Sequence, residues 1–434
     1  MPVNSVHPGV GTRAVDVAVV GAGLVGLATA WELRRRGRSV ALIDPDPGAG
    51  ASRAAAGMLA PVSEVQYQQE SLYPLMGASA AEYPGFAASV EQAAGASVGY
   101  RVTETLVCGV DSSDRQALAD LRQLQLSHGM AVEPLTLRAA RSLEPALTPR
   151  LSAAFRIPTD HQIDPRRLVT GLLAALVERD VTGVLLAGDV DGGPVRLLRV
   201  QARALLWDGQ GVVTGVVLTD GQDVVADETI LALGMGTGAL DGLPDTCRLP
   251  LRPVHGDILR ARLPAGPQRL IERTVRGLVH GVPVYLVPRV DGTIVIGATS
   301  REDDLGGVSA GGVFRLLRDA QALVPGVADL ELREVMARAR PGTPDDAPYL
   351  GRIRTSDGEP VPGLVVSTGH FRHGVLLTPL AARLAAQLVT DQAGTDPDAD
   401  AAHLITTDPH RFDPSGLARR TVAAQASAPE NRRT

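Results

Sequence analysis

Residues 16–37 read DVAVVGAGLVGLATAWELRRRG, and this stretch sets the expected fold class. Its first five residues are mostly β-branched, which is typical of a buried parallel strand. A glycine-rich run follows at residues 21–26, and a helix then extends to its stop signal at Gly37. Strand, tight turn and helix in this order predict a Rossmann-like α/β unit near the start of the chain.

The glycines of this unit predict a nucleotide ligand. Gly21, Gly23 and Gly26 have the GxGxxG spacing. The first makes the turn tight, the second lets backbone amides approach a pyrophosphate, and the third lets helix and strand pack closely. Asp44 ends the next predicted strand, where its carboxylate can accept hydrogen bonds from a ribose. These residues predict a dinucleotide site, and the pattern alone leaves NAD and FAD open.

The composition excludes several function classes. The chain has 434 residues, of which 44% are apolar and 21% charged, and its net charge is −6. These values favour a soluble protein of two or three domains, without the basic excess of proteins that bind nucleic acid or acidic membranes. All 42 basic residues are Arg. Catalysis through a lysine Schiff base or a P-loop lysine is therefore excluded.

The cysteine content and the N-terminus suggest a compartment. Cys108 and Cys247 are too few for a disulfide framework and fit a reducing environment. The first residues lack a basic-then-apolar signal pattern, and the uncharged run at residues 17–31 is too short and too rich in glycine to span a bilayer. We expect a cytoplasmic protein without a membrane segment. No spacing of His with Cys or carboxylate residues indicates a metal site.

Three further stretches are candidates for a binding site. Residues 52–61 are mostly small, which suits either a backbone lying against a flat ligand or a turn of a small-residue helix. Residues 339–345 and 368–379 each place one arginine, Arg340 and Arg372, among turn and apolar residues. A guanidinium in such surroundings needs an anionic partner, which is either a bound carboxylate or an internal salt bridge.

Together these motifs resemble the FAD-dependent amino acid and amine oxidases of the D-amino acid oxidase family, and within it the glycine oxidase branch. The matching blocks, in family order, are residues 19–26, 54–59, 285–289, 297–299, 340–345 and 369–379. The last two blocks are specific to that branch, whereas the glycine triplet is widespread. The resemblance implies a Rossmann-like FAD-binding domain of the GR2 type and an interleaved α+β substrate-binding domain built on a mostly antiparallel sheet.

The domain boundaries follow from the same resemblance. The FAD-binding domain is expected at residues 14–90, 150–242 and 336–392, and the substrate-binding domain at residues 91–149 and 243–335. Residues 393–434 are rich in Asp, Pro and Ala, which predicts a largely disordered tail.

The resemblance also assigns site residues. Arg340 is expected to grip the substrate carboxylate, and Arg372 and Tyr285 are expected to lie beside it. Val195 is expected to contact the adenine through its backbone, and residues 370–376 are expected to line the isoalloxazine. The full set of expected FAD contacts is Gly21, Gly23, Leu24, Val25, Gly26, Asp44, Pro45, Ala51, Ser52, Ala56, Gly57, Met58, Val195, His370, Phe371, His373, Gly374, Val375 and Leu376.

The implied activity is oxidation of glycine by dioxygen with non-covalent FAD, giving glyoxylate, ammonia and hydrogen peroxide by way of an imine used for the thiazole of thiamine. Sarcosine and small D-amino acids are further candidate substrates. The alternatives are a sarcosine or D-amino acid oxidase or dehydrogenase on the same scaffold, and a flavin-binding regulatory protein without turnover. The absence of Lys weighs against the monomeric sarcosine oxidases, which use a lysine near the flavin. The resemblance further implies a homo-oligomer, such as a tetramer, and a functional link to thiazole synthase.

Overall fold

The computed structural model describes residues 13–176, 195–247, 249–264, 269–390, 392 and 394–412. The strands, in chain order, are β1 (Arg13–Val20), β2 (Val40–Ile43), β3 (Met58–Leu59), β4 (Thr105–Gly109), β5 (Glu133–Pro134), β6 (Ala153–Ile157), β7 (His161–Gln162), β8 (Val195–Leu198), β9 (Ala202–Trp207), β10 (Val213–Leu218), β11 (Asp223–Leu231), β12 (Arg252–Arg262), β13 (Thr274–Val279), β14 (Val282–Pro288), β15 (Thr293–Gly297), β16 (Glu331–Gly342), β17 (Tyr349–Arg354) and β18 (Pro360–Thr368). The α-helices are α1 (Leu24–Arg35), α2 (Ala51–Ala54), α3 (Tyr73–Ala94), α4 (Ser112–Ser127), α5 (Leu137–Leu143), α6 (Pro165–Leu176), α7 (Ala310–Leu323), α8 (Thr378–Thr390) and α9 (Pro397–Thr406).

The first sheet contains the predicted Rossmann-like unit. Its strand order is β17-β18-β11-β1-β2-β8, so that β1 lies in its interior. The five strands from β18 to β8 are parallel. Strand β17 closes one edge in the antiparallel sense, and β10 and β9 branch from β11 as antiparallel strands. The α/β fold class predicted from the sequence is confirmed.

Both faces of this sheet are covered. Alternate side chains of a strand point to opposite faces, and β1 divides accordingly. Val17 and Val19 belong to the apolar core that includes α1, α3, α6 and α8, whereas Ala18 and Val20 belong to the core formed with β9, β10 and β18. In a doubly covered parallel sheet the ligand crevice lies at the carboxyl ends of the strands. These are Val20, Ile43 and Leu231.

The second sheet has the order β16-β12-β15-β14-β13-β4-β6-β5. Its pairs are antiparallel except for β4 with β13, which confirms a mostly antiparallel second sheet. One face packs on α5 and α7 through a core that includes Leu106, Leu259 and Leu316. On the other face, Ile258 and Val287 pack with Ala56. That face is therefore turned toward the small-residue segment of the first unit.

The division into two domains stays a prediction, but two strands lie differently from the expected boundaries. Ala153–Ile157, expected in the FAD-binding domain, pairs with β4 in the second sheet. Glu331–Gly342 crosses the expected boundary at residue 335. It is a single strand that pairs with β12 on both sides of that residue.

The prediction of a disordered tail is wrong for residues 394–412. Pro397–Thr406 forms α9, because Asp396 caps it by accepting a hydrogen bond from the Ala399 amide at 3.1 Å and a proline stands in its first turn. Arg383 of α8 anchors the helix by donating to both carboxylate oxygens of Asp400, at 2.7 and 2.9 Å. Residues 393 and 413–434 lie outside the described residues.

The helices of the described ranges do not combine the length and the apolar composition that crossing a membrane requires.

Candidate active site

The turn after β1 requires glycine at two of its three predicted positions. Gly21 has φ of +102°, and a Cβ there would lie 2.5 Å from the Ala232 carbonyl oxygen. A Cβ on Gly26 would overlap the Gly21 carbonyl. Gly23, the N-cap of α1, has only the Ser52 hydroxyl within 4 Å of such a Cβ, at 3.4 Å. The outer side of Gly23 is thus open to a ligand, at the positive end of the helix dipole.

Asp44 follows β2 and is fixed beside this turn. Its Oδ2 accepts a hydrogen bond from the Ala22 amide at 2.7 Å, and its Oδ1 accepts one from the Asp46 amide at 2.8 Å. Each carboxylate oxygen keeps a further lone pair. Asp44 can therefore accept hydrogen bonds from ribose hydroxyls, as the spacing predicts.

Ser52 links the next predicted segment to the same turn. It lies in α2, which begins at Ala51, and its hydroxyl accepts a hydrogen bond from the Leu24 amide at 3.0 Å. This bond brings α2 against the first turn of α1. Ser52 and Ala51 thus lie next to the glycine turn, together with Leu24 and Val25, which open α1.

The segment from Ala56 to Met58, named the strap, is fixed by hydrogen bonds to its backbone. Gly57 has φ of +71°, a Cβ there would overlap the Ile163 carbonyl, and the Gly57 carbonyl accepts from the Ile163 amide at 2.9 Å. The buried guanidinium of Arg289 donates to the carbonyls of Ala56 and of Ile163, the latter at 2.8 Å. Burial lowers the pKa of Arg289 to about 10, so it stays charged at neutral pH. The strap has a fixed backbone.

The register of β8 places Val195 away from Asp44. In the parallel pair of β2 and β8, Val195 is opposite Val40, whereas Leu198 is opposite Ile43 and its carbonyl accepts from the Asp44 amide at 3.0 Å. A strand rises about 3.3 Å per residue. Val195 is thus about 10 Å from the nucleotide end of the sheet, and the residues that follow Leu198 are the neighbours of Asp44.

The second sheet supplies the predicted substrate residues. Tyr285 of β14 stands opposite Gly297 of β15, and a Cβ on that glycine would lie 2.6 Å from the tyrosine Cζ. Arg340 of β16 lies over Gly256 in the same way, with its Cζ 2.5 Å from the position of a Cβ, and its Nη1 donates to the Thr299 carbonyl at 3.2 Å. Each glycine thus leaves room for a large polar side chain to lie flat across the sheet.

A buried charge cluster adjoins these two residues. Glu64 accepts from Arg276 Nη1 at 2.5 Å, and its Oε1 lies 3.9 Å from Arg372 Nη2. The side chains of Glu64 and Arg276 are 11% and 12% exposed. Burial alone raises the pKa of Glu64, but Arg276 and Arg372 outweigh it and lower that pKa to about 2. Glu64 is therefore ionised at any physiological pH.

Arg340 and Tyr285 belong to the same electrostatic unit. Burial raises the pKa of the Tyr285 hydroxyl, which is therefore a neutral donor, and the charges of Arg340, Glu64, Arg276 and Arg372 all act on it. The pKa of Arg372 is lowered by burial, against the opposing charge of Glu64. The unit contains three guanidinium groups and one carboxylate, so it retains positive charge for an anionic ligand.

Two histidines stand at the carboxyl end of the first sheet. His370 and His373 are 6% and 1% exposed, and burial lowers the pKa of each to about 4, which makes both imidazoles neutral. Within the described residues, His370 Nε2 and both ring nitrogens of His373 have no hydrogen-bond partner. Buried polar atoms are normally satisfied. These nitrogens therefore indicate a bound group, and the residues present fit FAD.

The backbone around these histidines is tied to α3. Phe371 has a φ of +43°, and Gly374 follows the short helix Phe371–His373. The Val375 carbonyl accepts from the Tyr83 hydroxyl at 2.9 Å, and the Leu376 carbonyl accepts from the Ser79 hydroxyl at 2.6 Å. These bonds tie Val375 and Leu376, the end of the predicted segment, to α3.

Sequence reasoning missed Glu64, Arg276 and Arg289. Glu64 comes three residues after the small-residue motif, and Arg276 stands in an apolar strand next to the hairpin that carries Tyr285. A lone charge in an apolar stretch was the available signal. Within the described ranges, His, Cys, Asp and Glu side chains form no group of three or more suited to a metal ion.

Comparisons with known proteins identify a family to which the chain is similar. Residues 16–388 match the sequence profile of the family described as FAD dependent oxidoreductase, DAO. The chain is 32% identical to the bifunctional protein ThiO/ThiG of Trichormus variabilis, over 87% of this chain and 53% of that one, so it spans about half the length of that relative. It is also 32% identical to the glycine oxidase of Geobacillus kaustophilus, over 87% of this chain and 93% of that one. The crystal structure of glycine oxidase from Geobacillus kaustophilus matches with a TM-score of 0.74 and 30% identity, covering 88% of this chain and 96% of that one.

Proposed function

We propose, from the premise that the chain belongs to the FAD dependent oxidoreductase (DAO) family, that it is a glycine oxidase. It converts glycine, dioxygen and water to glyoxylate, ammonia and hydrogen peroxide. The observation that carries the proposal is the set of three arginines, Arg276, Arg340 and Arg372, held around Tyr285 on the side of the second sheet that faces the strap.

The first task of these residues is to bind the substrate carboxylate. Arg340 bonds one backbone carbonyl and has five N–H donors, so its planar fork can take a carboxylate by two parallel bonds. The Tyr285 hydroxyl, kept neutral by its raised pKa, donates a further bond. Arg372 adds a second cation, while Glu64 keeps Arg276 paired. The carboxylate is thus held without a contact to the carbon that reacts.

The second task is orientation. A carboxylate fixed by Arg340 and Tyr285 directs the α-carbon of glycine toward the strap, whose Ala56 and Met58 pack against the same face of the sheet. Fixing the reacting groups within about 3–3.5 Å removes most of the entropic part of the barrier. When bound, FAD supplies the two-electron oxidation of the amine and the transfer of those electrons to dioxygen.

The cofactor is held by residues of the first unit. Asp44 is the ribose acceptor, Gly23 and the first turn of α1 take the pyrophosphate, and Ser52 and the strap lie along the dinucleotide. His370 and His373 offer neutral ring nitrogens to the flavin or to the substrate amine. Neutral imidazoles add no positive charge that would compete with the arginines for the carboxylate.

The proposal includes a cellular role. We place the enzyme in the cytoplasm as a homo-oligomer whose imine product feeds the thiazole of thiamine, in functional association with thiazole synthase. The joint name of the ThiO/ThiG relative supports that association. Light scattering on the purified protein and co-purification with thiazole synthase test the two parts separately.

The activity is tested with purified holoprotein. Glycine should bleach the flavin absorbance without oxygen and produce peroxide with oxygen, and sarcosine and D-alanine should do so less efficiently. Arg340→Leu should raise the KM for glycine about 100-fold, because a charge-assisted pair of hydrogen bonds is lost. Arg333→Leu is the matched control, since Arg333 is 55% exposed and pairs only with Glu331 among the ion pairs of the described residues. Failure of every amine to bleach the flavin would leave a regulatory flavoprotein instead.

A further inference from the structure

The segment at residues 394–412 lies beyond residue 388, where the match to the family profile ends. Its helix α9 is anchored on α8 by Arg383 and by Gln387, whose amide donates to Asp400 at 3.0 Å. The residues after α9 then return toward the first sheet. The segment is therefore a packed part of the structure with contacts of its own.

The end of the segment is bonded to β17. The Leu350 amide donates to the Thr407 carbonyl at 2.9 Å, and the Thr407 hydroxyl donates to the Leu350 carbonyl at 3.1 Å. The Arg354 amide donates to His410 Nε2 at 2.9 Å. Gly351 allows this close approach, since a Cβ there would lie 2.8 Å from Pro409. These contacts hold the last described residues in one register.

In this register, Arg411 forms hydrogen bonds to the turn that precedes β17. Its Nε and Nη2 donate to the two carboxylate oxygens of Asp345, at 2.9 and 2.8 Å. Its Nη1 donates to the Pro348 carbonyl at 3.1 Å and its Nη2 to the Ala347 carbonyl at 2.6 Å. The guanidinium lies 4.4 Å from the centre of the Tyr349 ring. One planar cation thus binds three residues of the turn, through the Asp345 carboxylate and the carbonyls of Ala347 and Pro348.

The turn at residues 343–348 follows the strand of one proposed substrate arginine and packs against the residue that precedes the segment of the other. It begins directly after β16, the strand of Arg340. At its start, Thr343 packs against Gly369, where a Cβ would lie 2.6 Å from the threonine methyl, and Gly369 immediately precedes the segment of Arg372. Asp345 also accepts from the Ala347 amide at 3.1 Å. The turn therefore contacts the chain next to both arginines, through β16 at its start and through Gly369.

The partial exposure of the Arg411–Asp345 ion pair indicates that the pair matters more for the position of the turn than for the free energy of unfolding. Asp345 is 38% exposed and Arg411 is 12% exposed. A partly exposed pair contributes little to the free energy of unfolding. A bidentate fork does, however, define distance and angle closely. We infer that Arg411, outside the family domain, is a positioning residue that sets the separation of Arg340 and Arg372 through the turn at residues 343–348.

This inference rests on the proposed glycine oxidase function, and the test separates the two. The holoprotein is compared with Arg411→Ala, Arg411→Lys and the matched control Arg352→Ala. Arg352 lies on β17, the strand that follows the turn, pairs bidentately with Glu228 at 2.7 and 3.0 Å, and donates to the Leu388 carbonyl. The probes are glycine turnover, the Kd of glycolate from its perturbation of the flavin spectrum, and hydrogen exchange of the peptide that covers residues 343–348.

Arg411→Ala should raise the KM for glycine and the Kd of glycolate about tenfold, leave kcat within twofold, and speed exchange in the turn. Arg411→Lys should give an intermediate effect, because an ammonium cannot form the fork. Arg352→Ala should lower the Tm without these changes. Should Arg411→Ala not fold, Asp345→Asn removes the same fork at constant volume and should show the same KM and Kd changes.

Unchanged exchange and unchanged glycolate affinity in Arg411→Ala, or equal KM effects in Arg411→Ala and Arg352→Ala, would overturn the inference. A wild-type protein that neither oxidises glycine nor binds glycolate would refute the proposed function. The exchange data would still decide whether Arg411 orders the turn.

Discussion

The guanidinium of Arg340 lies flat over the α-carbon of Gly256, in the space that a side chain at residue 256 would occupy. The atoms met by an added Cβ are the far end of a flexible side chain and not backbone. Gly256→Ala should therefore displace Arg340 and leave the sheet intact. We expect the KM for glycine to rise about 30-fold with a change in Tm of less than about 3 °C, since an alanine in a strand is tolerated. Steady-state kinetics and calorimetry on the same preparation check this, and an unchanged KM would contradict the placement of Arg340.

The carboxylate of Glu64 neutralises Arg276 and, at longer range, Arg372. Glu64→Gln should lower the free energy of unfolding by about 3 kcal/mol, because removal of one partner leaves a nearly buried cation unpaired. Urea unfolding at pH 7 measures this value. Sulfate should restore part of the loss by binding the unpaired arginines. Glu302→Gln is the control, since Glu302 is 59% exposed and should change stability by less than about 0.5 kcal/mol. Equal stability of the two variants would refute the assigned role of Glu64.

Two helix glycines should respond in opposite ways to the same substitution. A Cβ on Gly26 overlaps the backbone carbonyl of Gly21, so Gly26→Ala must separate α1 from β1. It should abolish retention of the flavin, measured as the ratio of visible to ultraviolet absorbance. Gly77 in α3 has no atom within 4 Å of an added Cβ, and Gly77→Ala should stabilise the protein by about 0.5–1 kcal/mol. A flavin-replete Gly26→Ala protein would show that the turn tolerates a side chain.

The buried histidines should make stability depend on pH. The pKa of His370 and of His373 is about 4 in the folded protein, lowered by burial, against about 6.5 when unfolded. Between these values the unfolded chain binds more protons, so stability is full above pH 6.5 and falls as the pH drops toward 4, by about 1.4 kcal/mol per pH unit for each histidine.

Asp160 opposes part of this dependence of stability on pH. Burial raises its folded pKa to about 6, which makes its own contribution rise as the pH falls from 6 toward 4. Two histidines outweigh one carboxyl group, so the Tm of the holoprotein should fall by several degrees from pH 7 to pH 5. His373→Asn should roughly halve that fall. A Tm that is flat over this range would mean that the imidazoles are protonated or exposed in the folded state.

Local signals in the sequence were sufficient to predict the Rossmann-like unit. The glycine turn, α1 and Asp44 lie within one short stretch, where period and turn chemistry decide the structure, and β1 exceeds its predicted length by only three residues. Arg340, Arg372 and Tyr285 could be predicted as substrate residues because each stands in a recognisable block, and the structure brings all three together. Their role stays a prediction.

The missed features depend on long-range pairing. Glu64 and Arg276 are 212 residues apart, and no local pattern connects them. The distance of Val195 from Asp44 depends on which end of β8 meets Asp44, which only the register with β2 reveals. Helix α9 was missed because the Asp- and Pro-rich composition outweighed a valid start signal, Asp396 followed by a proline.

The interior position of β1 has a consequence for how the protein is made. Its partner β11 is Asp223–Leu231, and the next strand in the sheet, β18, is Pro360–Thr368. A ribosome therefore releases the glycine turn and the neighbouring strand β2 long before β11, the strand on the other side of β1, exists. Helix α1 likewise forms before α8, against which it packs. Nascent chains that end before β18 also lack the segment from His370 to Leu376, so we expect the cofactor to be retained only after near-complete synthesis. Availability of FAD should then govern the yield of folded enzyme more than the rate of translation does.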